Sequence, residues 1–196
     1  MVDVARRHGR GLGLENVDYR VMDAKRLELD ADSVDGVLCQ SGYMLMADPA
    51  AALAETRRVL RPGGRLALSV WGAPERNPWA AIGGMVLVAR GQMPAPEPGA
   101  PGIFSMAGEE RTRELLEGAG FSSVHTQDVP LRFAFRNLDD YETWVTEVAG
   151  AFAMVVRGLS EGERAALKAE LEEAFAPFVA GAGYELPGVA LCAVAS

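Results

Sequence analysis

Val21-Met22-Asp23-Ala24, then Leu27, then Val34-Asp35-Gly36-Val37-Leu38-Cys39-Gln40-Ser41-Gly42 is the stretch whose reading decides the fold. Two apolar runs each stop abruptly in polar or very small residues. A parallel sheet presents the carboxyl ends of its strands to a ligand in this way.

Working outward, Asp48-Pro49 is a helix start, with Asp as N-cap and Pro at the first position. The helix 50–60 turns Leu53, Leu60 and its alanines inward, and Glu55 can pair with Arg58 on the wet side for a few tenths of a kcal/mol. Pro62-Gly63-Gly64 stops that helix. Arg65–Trp71 is nearly continuous in apolar residues, as a central strand covered on both faces must be. Strand, helix and strand in this order predict an α/β sheet. Further along, 79–90 is apolar enough for a helix, and 92–102, with four prolines and two glycines, is a loop. A helix over 109–119 precedes a strand 121–129 that resumes after Pro130 through 131–135. Asp139 with Glu142 forms a capping box opening one long helix that carries Trp144, Val145, Val148, Phe152, Val155 and Val156. Ser160 with Glu163 opens another, with Leu167, Leu171, Ala174, Phe175 and Phe178 on one face. Val189–Ala195 is the last strand.

Upstream, Gly9, Gly11 and Gly13 spell Gly-x-Gly-x-Gly. A phosphate-binding reading needs a strand before the glycines and a helix after them. Here a helix over 2–8 comes first and a strand, about 17–22, comes after, so the glycines read as a helix end and loop.

The 196 residues carry a net charge of -8. Such a chain has no electrostatic footprint for nucleic acid or an anionic membrane. No run reaches the ~20 apolar residues of a membrane span. Cys39 and Cys192 sit in apolar strand-like runs, which predicts reduced thiols and a cytoplasmic setting. His8 and His125 have no partner cluster, so no metal site is expected.

Taken in order, Val21-Met22-Asp23-Ala24-x-x-Leu27, Asp35-Gly36-Val37-Leu38-Cys39-Gln40 and Ala52-Leu53-x-Glu55-x-x-Arg58-Val59-Leu60-Arg61-Pro62-Gly63-Gly64-Arg65-Leu66 resemble the class I S-adenosylmethionine-dependent methyltransferases, in the branch that includes quinone-biosynthesis enzymes. The resemblance is close over 1–72 and loose beyond it. It implies a Rossmann-like sheet with helices on both faces and a helical insertion before the last strand. It also implies S-adenosylmethionine as cofactor and a small-molecule methyl acceptor. Asp23 and Ala24 would lie beside the adenine, and Cys39, Gln40, Ser41 and Gly42 beside the methionine part. No catalytic residue is assigned; Tyr43, His125 and Asp48 are the candidates for acid–base work, each with a plain structural explanation. Residues 73–107 and 136–180 would be substrate-side insertions, with an acceptor pocket built from 79–90, 104–106 and 144–156.

The family's glycine-rich loop and ribose-binding carboxylate have no counterpart before Val17. The chain would thus begin about a third of the way into the family fold, lacking two strands and a helix. The strands ending at Asp23 and Cys39 would lose the neighbours that separate them. They are expected to pair directly or to pair across a homodimer, since unpaired apolar edges are association sites. The competing reading is a catalytically silent methyltransferase-like binding or dimerisation module. A dehydrogenase-type α/β protein fits the coarse pattern but leaves Arg58-Val59-Leu60-Arg61-Pro62-Gly63-Gly64 unexplained.

Overall fold

A parallel pair of strands, β1 (Val34–Gln40) and β2 (Leu60–Trp71), frames the molecule, and helix α2 (Pro49–Val59) joins them. These elements, with α1 (Val2–Gly11) before them, belong to a computed structural model that describes residues 1–97, 100–148 and 150–196. The Asp48 carboxylate accepts from Ala51 N–H at 3.0 Å and Pro49 follows it, so α2 starts where the sequence predicts. Ala52, Leu53, Thr56 and Val59 form its buried face. Pro62-Gly63-Gly64 does not lie outside the sheet: β2 begins at Leu60 opposite Val34, and an irregularity in register carries it past these residues to Arg65 opposite Gly36.

The sheet continues β1-β2-β5-β3. β5 (Gly183–Ala195) runs antiparallel to both β2 and β3 (Val124–Phe135), and the two-residue β4 (Val179–Ala180) pairs with the start of β5. β3 runs through Pro130 unbroken, because it is an edge strand, where a missing N–H costs no ladder bond. The geometry agrees. Val189 lies opposite Pro130, yet its carbonyl accepts from Gly72 N–H and its N–H donates to the Asn77 side chain, both on the β2 side. The amide position of Pro130 therefore faces outward.

Side chains alternate across the sheet. One face carries Val37, Cys39, Leu66, Leu68, Val70, Leu191, Ala193 and Ala195, packed with α2, α4 (Glu109–Gly118) and the short turn Tyr43–Leu45. The other is covered in part by α3 (Pro78–Ala89), α5 (Leu138–Val148), α6 (Gly150–Gly158) and α7 (Glu161–Phe175). There Trp79, Phe135, Tyr141, Phe152, Phe175 and Leu186 form a second core. Helices on both faces and a helical insertion before the last strand are as expected. The rest of the second face, with Leu38, Gln40, Ser69, Cys192 and Val194, stands in register beyond that core. Leu38 there is 87% exposed. Cys39 lies beside Leu68, whereas Cys192 lies beside Ser69, so the two free thiols occupy opposite faces.

Four expectations need correction. The strand about 17–22 does not form: these residues take neither strand nor helix, and the nearest pairing is an isolated bridge between Asp23 and Arg26. Direct pairing with β1 is likewise absent among the described residues. A strand is stable only with neighbours to satisfy its backbone groups, and this apolar run has none beside it. The helix over 2–8 continues to Gly11, and Gly13 beyond it has a φ of +68° that lets Leu14 N–H reach the Gly9 carbonyl. The helix opened by Asp139 and Glu142 is described as α5 and α6 on either side of residue 149, which lies outside the described residues. Its cap is Asn137, whose side chain accepts from Asp140 N–H at 2.9 Å, while the Asp140 carboxylate accepts from Arg136 N–H at 3.0 Å. Ser160 and Glu163 do form the expected capping box. The loop 92–102 contains no helix or strand among its described residues; residues 98 and 99 lie outside them.

Candidate functional site

The carboxyl ends of β1 and β2 lie side by side, because the strands are parallel with Gln40 opposite Ser69. Ser41 carries the ladder one step further by donating its N–H to the Ser69 carbonyl at 2.9 Å. It does so at a φ of +53°, a left-handed conformation that costs a residue with a Cβ roughly 1–2 kcal/mol. The chain then turns into Gly42, where an added Cβ would lie 2.6 Å from Cys39 Sγ. Only glycine fits there without displacing that sulfur. Gln40 is exposed, and Cys39, Ser41 and Gly42 are half-buried. The strand end thus offers a polar side chain, a hydroxyl and closely approachable backbone around one sharp turn. Backbone strain of this kind concentrates at ligand sites.

Asp23 and Ala24 form a second turn. The Asp23 carbonyl accepts from Arg26 N–H at 2.9 Å and its carboxylate accepts from Lys25 N–H at 2.9 Å. Asp23 is exposed, while Ala24 packs on the same core cluster as Cys39. Of the six expected site residues, the structure joins Cys39, Ser41 and Gly42 by direct contact or chain continuity with Gln40. Asp23 and Ala24 sit on a separate loop over the α2 face.

That loop is held from α2. Glu55 Oε1 accepts from Leu27 N–H at 2.8 Å and from Arg58 Nη2 at 2.7 Å. The same Nη2 donates to the carbonyls of Leu27 at 3.1 Å and Leu29 at 2.8 Å. The Glu55 side chain is only 14% exposed. The Arg58 guanidinium, and after it the Leu27 N–H, keep the Glu55 carboxyl below the usual carboxylate range despite some desolvation. Sequence spacing identified the pair but not its grip on the loop, since i,i+3 spacing says nothing about which backbone lies alongside.

The three acid–base candidates are engaged elsewhere. The Tyr43 hydroxyl sits 2.7 Å from Thr56 Oγ1, itself a donor to the Ala52 carbonyl, and burial pushes the phenol upward. Asp48 caps α2. His125 is exposed on β3, with Ser123 Oγ 3.4 Å from its ring.

The expected acceptor pocket is filled. Trp79, Ile82, Leu87, Met106, Val145, Phe152 and Val156 are buried core residues packed against one another or the neighbouring cluster. Apolar helical spacing produces the same sequence signal for a core face and a cavity wall. An open cavity of about 370 Å³ lies instead past the end of β2, lined by Gly72, Ala73, Arg76, Gly108, Glu109, Asp128 and their neighbours. Arg76 pairs with Asp128 at 2.6 Å on its lining, and hydrogen bonds from Arg113, then Thr126, hold the Glu109 carboxyl low. Gly72, the first residue beyond a third apolar run, was the available sequence signal for this cavity.

Comparison with known proteins bears on the family and the fold. Residues 1–68 match a family described as "Methyltransferase domain". Methyltransferase ucsB of an Acremonium species is 30% identical over 154 residues, covering 78% of this chain and 50% of that protein. The chain thus spans about half the length of this curated relative. The YcgJ protein of Bacillus subtilis superposes with a TM-score of 0.62 at 18% identity, covering 100% of this chain and 77% of the other. Phosphoethanolamine N-methyltransferase 2 of Haemonchus contortus, solved with phosphomonomethylethanolamine and S-adenosylhomocysteine, gives 0.51 at 14% identity, covering 100% and 41%. The fold is that of the class I methyltransferases.

Proposed function

From a chain whose residues 1–68 belong to the methyltransferase domain family, we propose S-adenosylmethionine-dependent methyl transfer to a small-molecule acceptor. The observation that supports it most is the strained Ser41-Gly42 turn at the end of β1, beside the end of β2 and inside the matched region. Gln40, Ser41, Gly42 and Cys39 fit the methionine part, through a side-chain amide, a hydroxyl and exposed backbone. Asp23 and the Ala24 backbone fit the adenine, whose exocyclic amine needs an acceptor and whose ring nitrogen needs a donor. When bound, the cofactor would supply an electrophilic methyl on a sulfonium, which the acceptor's nucleophile takes in line as the thioether leaves with the S–C electron pair. The chain's own part is to hold the two reactants in line and exclude water. This requires no protein base, in keeping with Tyr43, Asp48 and His125 being engaged elsewhere. The acceptor is assigned to the cavity at Gly72–Arg76, with 73–107 and 136–180 as substrate-side insertions.

Reduced, unpaired thiols on opposite faces favour a cytoplasmic setting. The exposed β1 edge and Leu38 favour association of two copies, and they equally favour the second reading, a silent methyltransferase-like dimerisation module. Calorimetric titration of the full chain with S-adenosylmethionine separates the two. Saturable heat is expected; no heat and no thermal shift at millimolar cofactor would remove the enzymatic reading. Light scattering across a hundredfold concentration range tests the homodimer, and an unchanging monomer mass refutes it.

A further inference from the structure

Residues 27–33 run alongside α2 with no sheet partner. Their connections to the rest of the fold, among the described residues, are few and specific. Two are backbone bonds, from Asp32 N–H to the Arg58 carbonyl and from Ser33 N–H to the Val59 carbonyl. Arg61 Nε reaches the Asp32 carbonyl at 3.2 Å. The remaining three come from the Glu55–Arg58 pair, and they alone grip residues 27–29, next to the Asp23–Arg26 turn. A carboxylate takes the Leu27 N–H and a guanidinium takes two carbonyls. The pair therefore replaces, on a helix surface, the three backbone bonds that a neighbouring strand would otherwise supply. A charged donor or acceptor makes each of these bonds stronger than its neutral equivalent. Arg58 Nε and Nη2 donate to Glu55 Oε2 and Oε1 at 2.8 and 2.7 Å, a two-point fork that leaves neither side chain free to swing away.

We propose that Glu55 and Arg58 are positioning residues for the adenine side of the cofactor site. This rests on the reading of Asp23 and Ala24 given above. Ala24 is anchored to the core from one side, and Leu27 is anchored to α2 from the other. Between these points the turn has only its internal bonds from Arg26 and Lys25 N–H to Asp23. Releasing the Leu27 anchor lets the turn sample other conformations, and apparent affinity falls in proportion to the population that remains competent. The pair touches no part of the ligand, so its effect is on how often the loop is ready.

The test uses the full chain with Glu55→Ala, Arg58→Met and Arg58→Lys, the last retaining the charge but not the planar fork. Amide exchange of the free proteins should show faster exchange at 27–29 in the first two variants, with the amides of β2 and α2 unchanged. Calorimetry with S-adenosylmethionine and with adenosine should show both binding about tenfold more weakly, as a loop ordered one-tenth of the time requires. Arg58→Lys should fall between. If the unmodified chain binds neither ligand, the functional reading fails and the inference with it. If it binds both and the variants bind equally well despite faster exchange at 27–29, positioning is refuted while the functional reading stands. If a variant unfolds, Arg58→Lys decides: unchanged adenosine affinity with faster loop exchange refutes the proposal.

Discussion

Replacing Asn77 with Ala should cost this fold as much as truncating a large core side chain, although Asn77 is neither charged nor large. The residue is fully buried. Its Nδ2 donates to the carbonyls of Gly72 at 3.1 Å, Ala73 at 3.2 Å and Val189 at 3.1 Å. Its Oδ1 accepts from Trp79 Nε1 at 2.9 Å and from Val189 N–H at 2.9 Å. One side chain thereby ties the end of β2, the start of α3 and the middle of β5. In the variant, the Ala73 carbonyl keeps Arg76 N–H and the Val189 carbonyl keeps Gly72 N–H. Val189 N–H, Trp79 Nε1 and the Gly72 carbonyl are left without their partners. At about 1–3 kcal/mol for each orphaned buried group, and some relief from water entering the space, the loss comes to roughly 3–5 kcal/mol. For a chain of this length that is a fall of about 10 °C in Tm. Urea denaturation followed by tryptophan fluorescence measures it, with an unchanged m-value confirming that the same two states are compared. A loss below about 1 kcal/mol would refute the reasoning, since the hub would then be redundant. Asn77→Asp sharpens the test. It keeps an acceptor for both donors but sets a carboxylate against three carbonyls, so its stability should rise as pH falls and the acid becomes protonated.

Tyr141→Phe should leave stability unchanged or raise it by about 1 kcal/mol, because its buried hydroxyl has only a poorly aligned contact with the Gly83 backbone; a loss above about 1 kcal/mol in the same assay would reveal a full bond. Ser41→Gly should stabilise the apo chain by about 1 kcal/mol, by removing the left-handed strain at +53°; a lowered Tm would show that the hydroxyl holds the turn. The Arg136 side chain, then the Arg136 N–H, hold the Asp140 carboxyl down to about 2 from its ordinary 3.8. A depressed carboxylate stabilises above its unfolded value and loses that contribution as pH falls toward the folded one. Asp140→Asn should therefore flatten the stability profile between about pH 4 and 2, and a carboxyl NMR titration with its midpoint near 4 would contradict this.

Much of the fold was legible because its signals are local. Asp48-Pro49, Ser160 with Glu163, and the apolar run to Trp71 each carry their outcome within a few residues. Val17–Met22 was not legible as an unpaired segment, since apolar character registers what a strand could bury and not whether a neighbour exists. The same limit explains Glu55 and Arg58, which read as a surface pair until the backbone of 27–29 is laid beside them. At the candidate site, the end of β1 was readable from Gln40-Ser41-Gly42. The cavity at Gly72 was missed because its walls come from segments far apart in the chain, with Arg76 meeting Asp128 and Gly108 lying close by.

Pro130 gives the sheet's two margins different valence. Its amide position faces out from β3 and offers no hydrogen, whereas β1 presents an intact row of donors and acceptors. Strand addition therefore loses a ladder bond at the β3 margin and meets no such gap at the β1 margin. Two copies joined there about a two-fold axis would consume both open edges at once. Such growth stops at a pair, so the same exposed edge that invites association does not lead to an open filament.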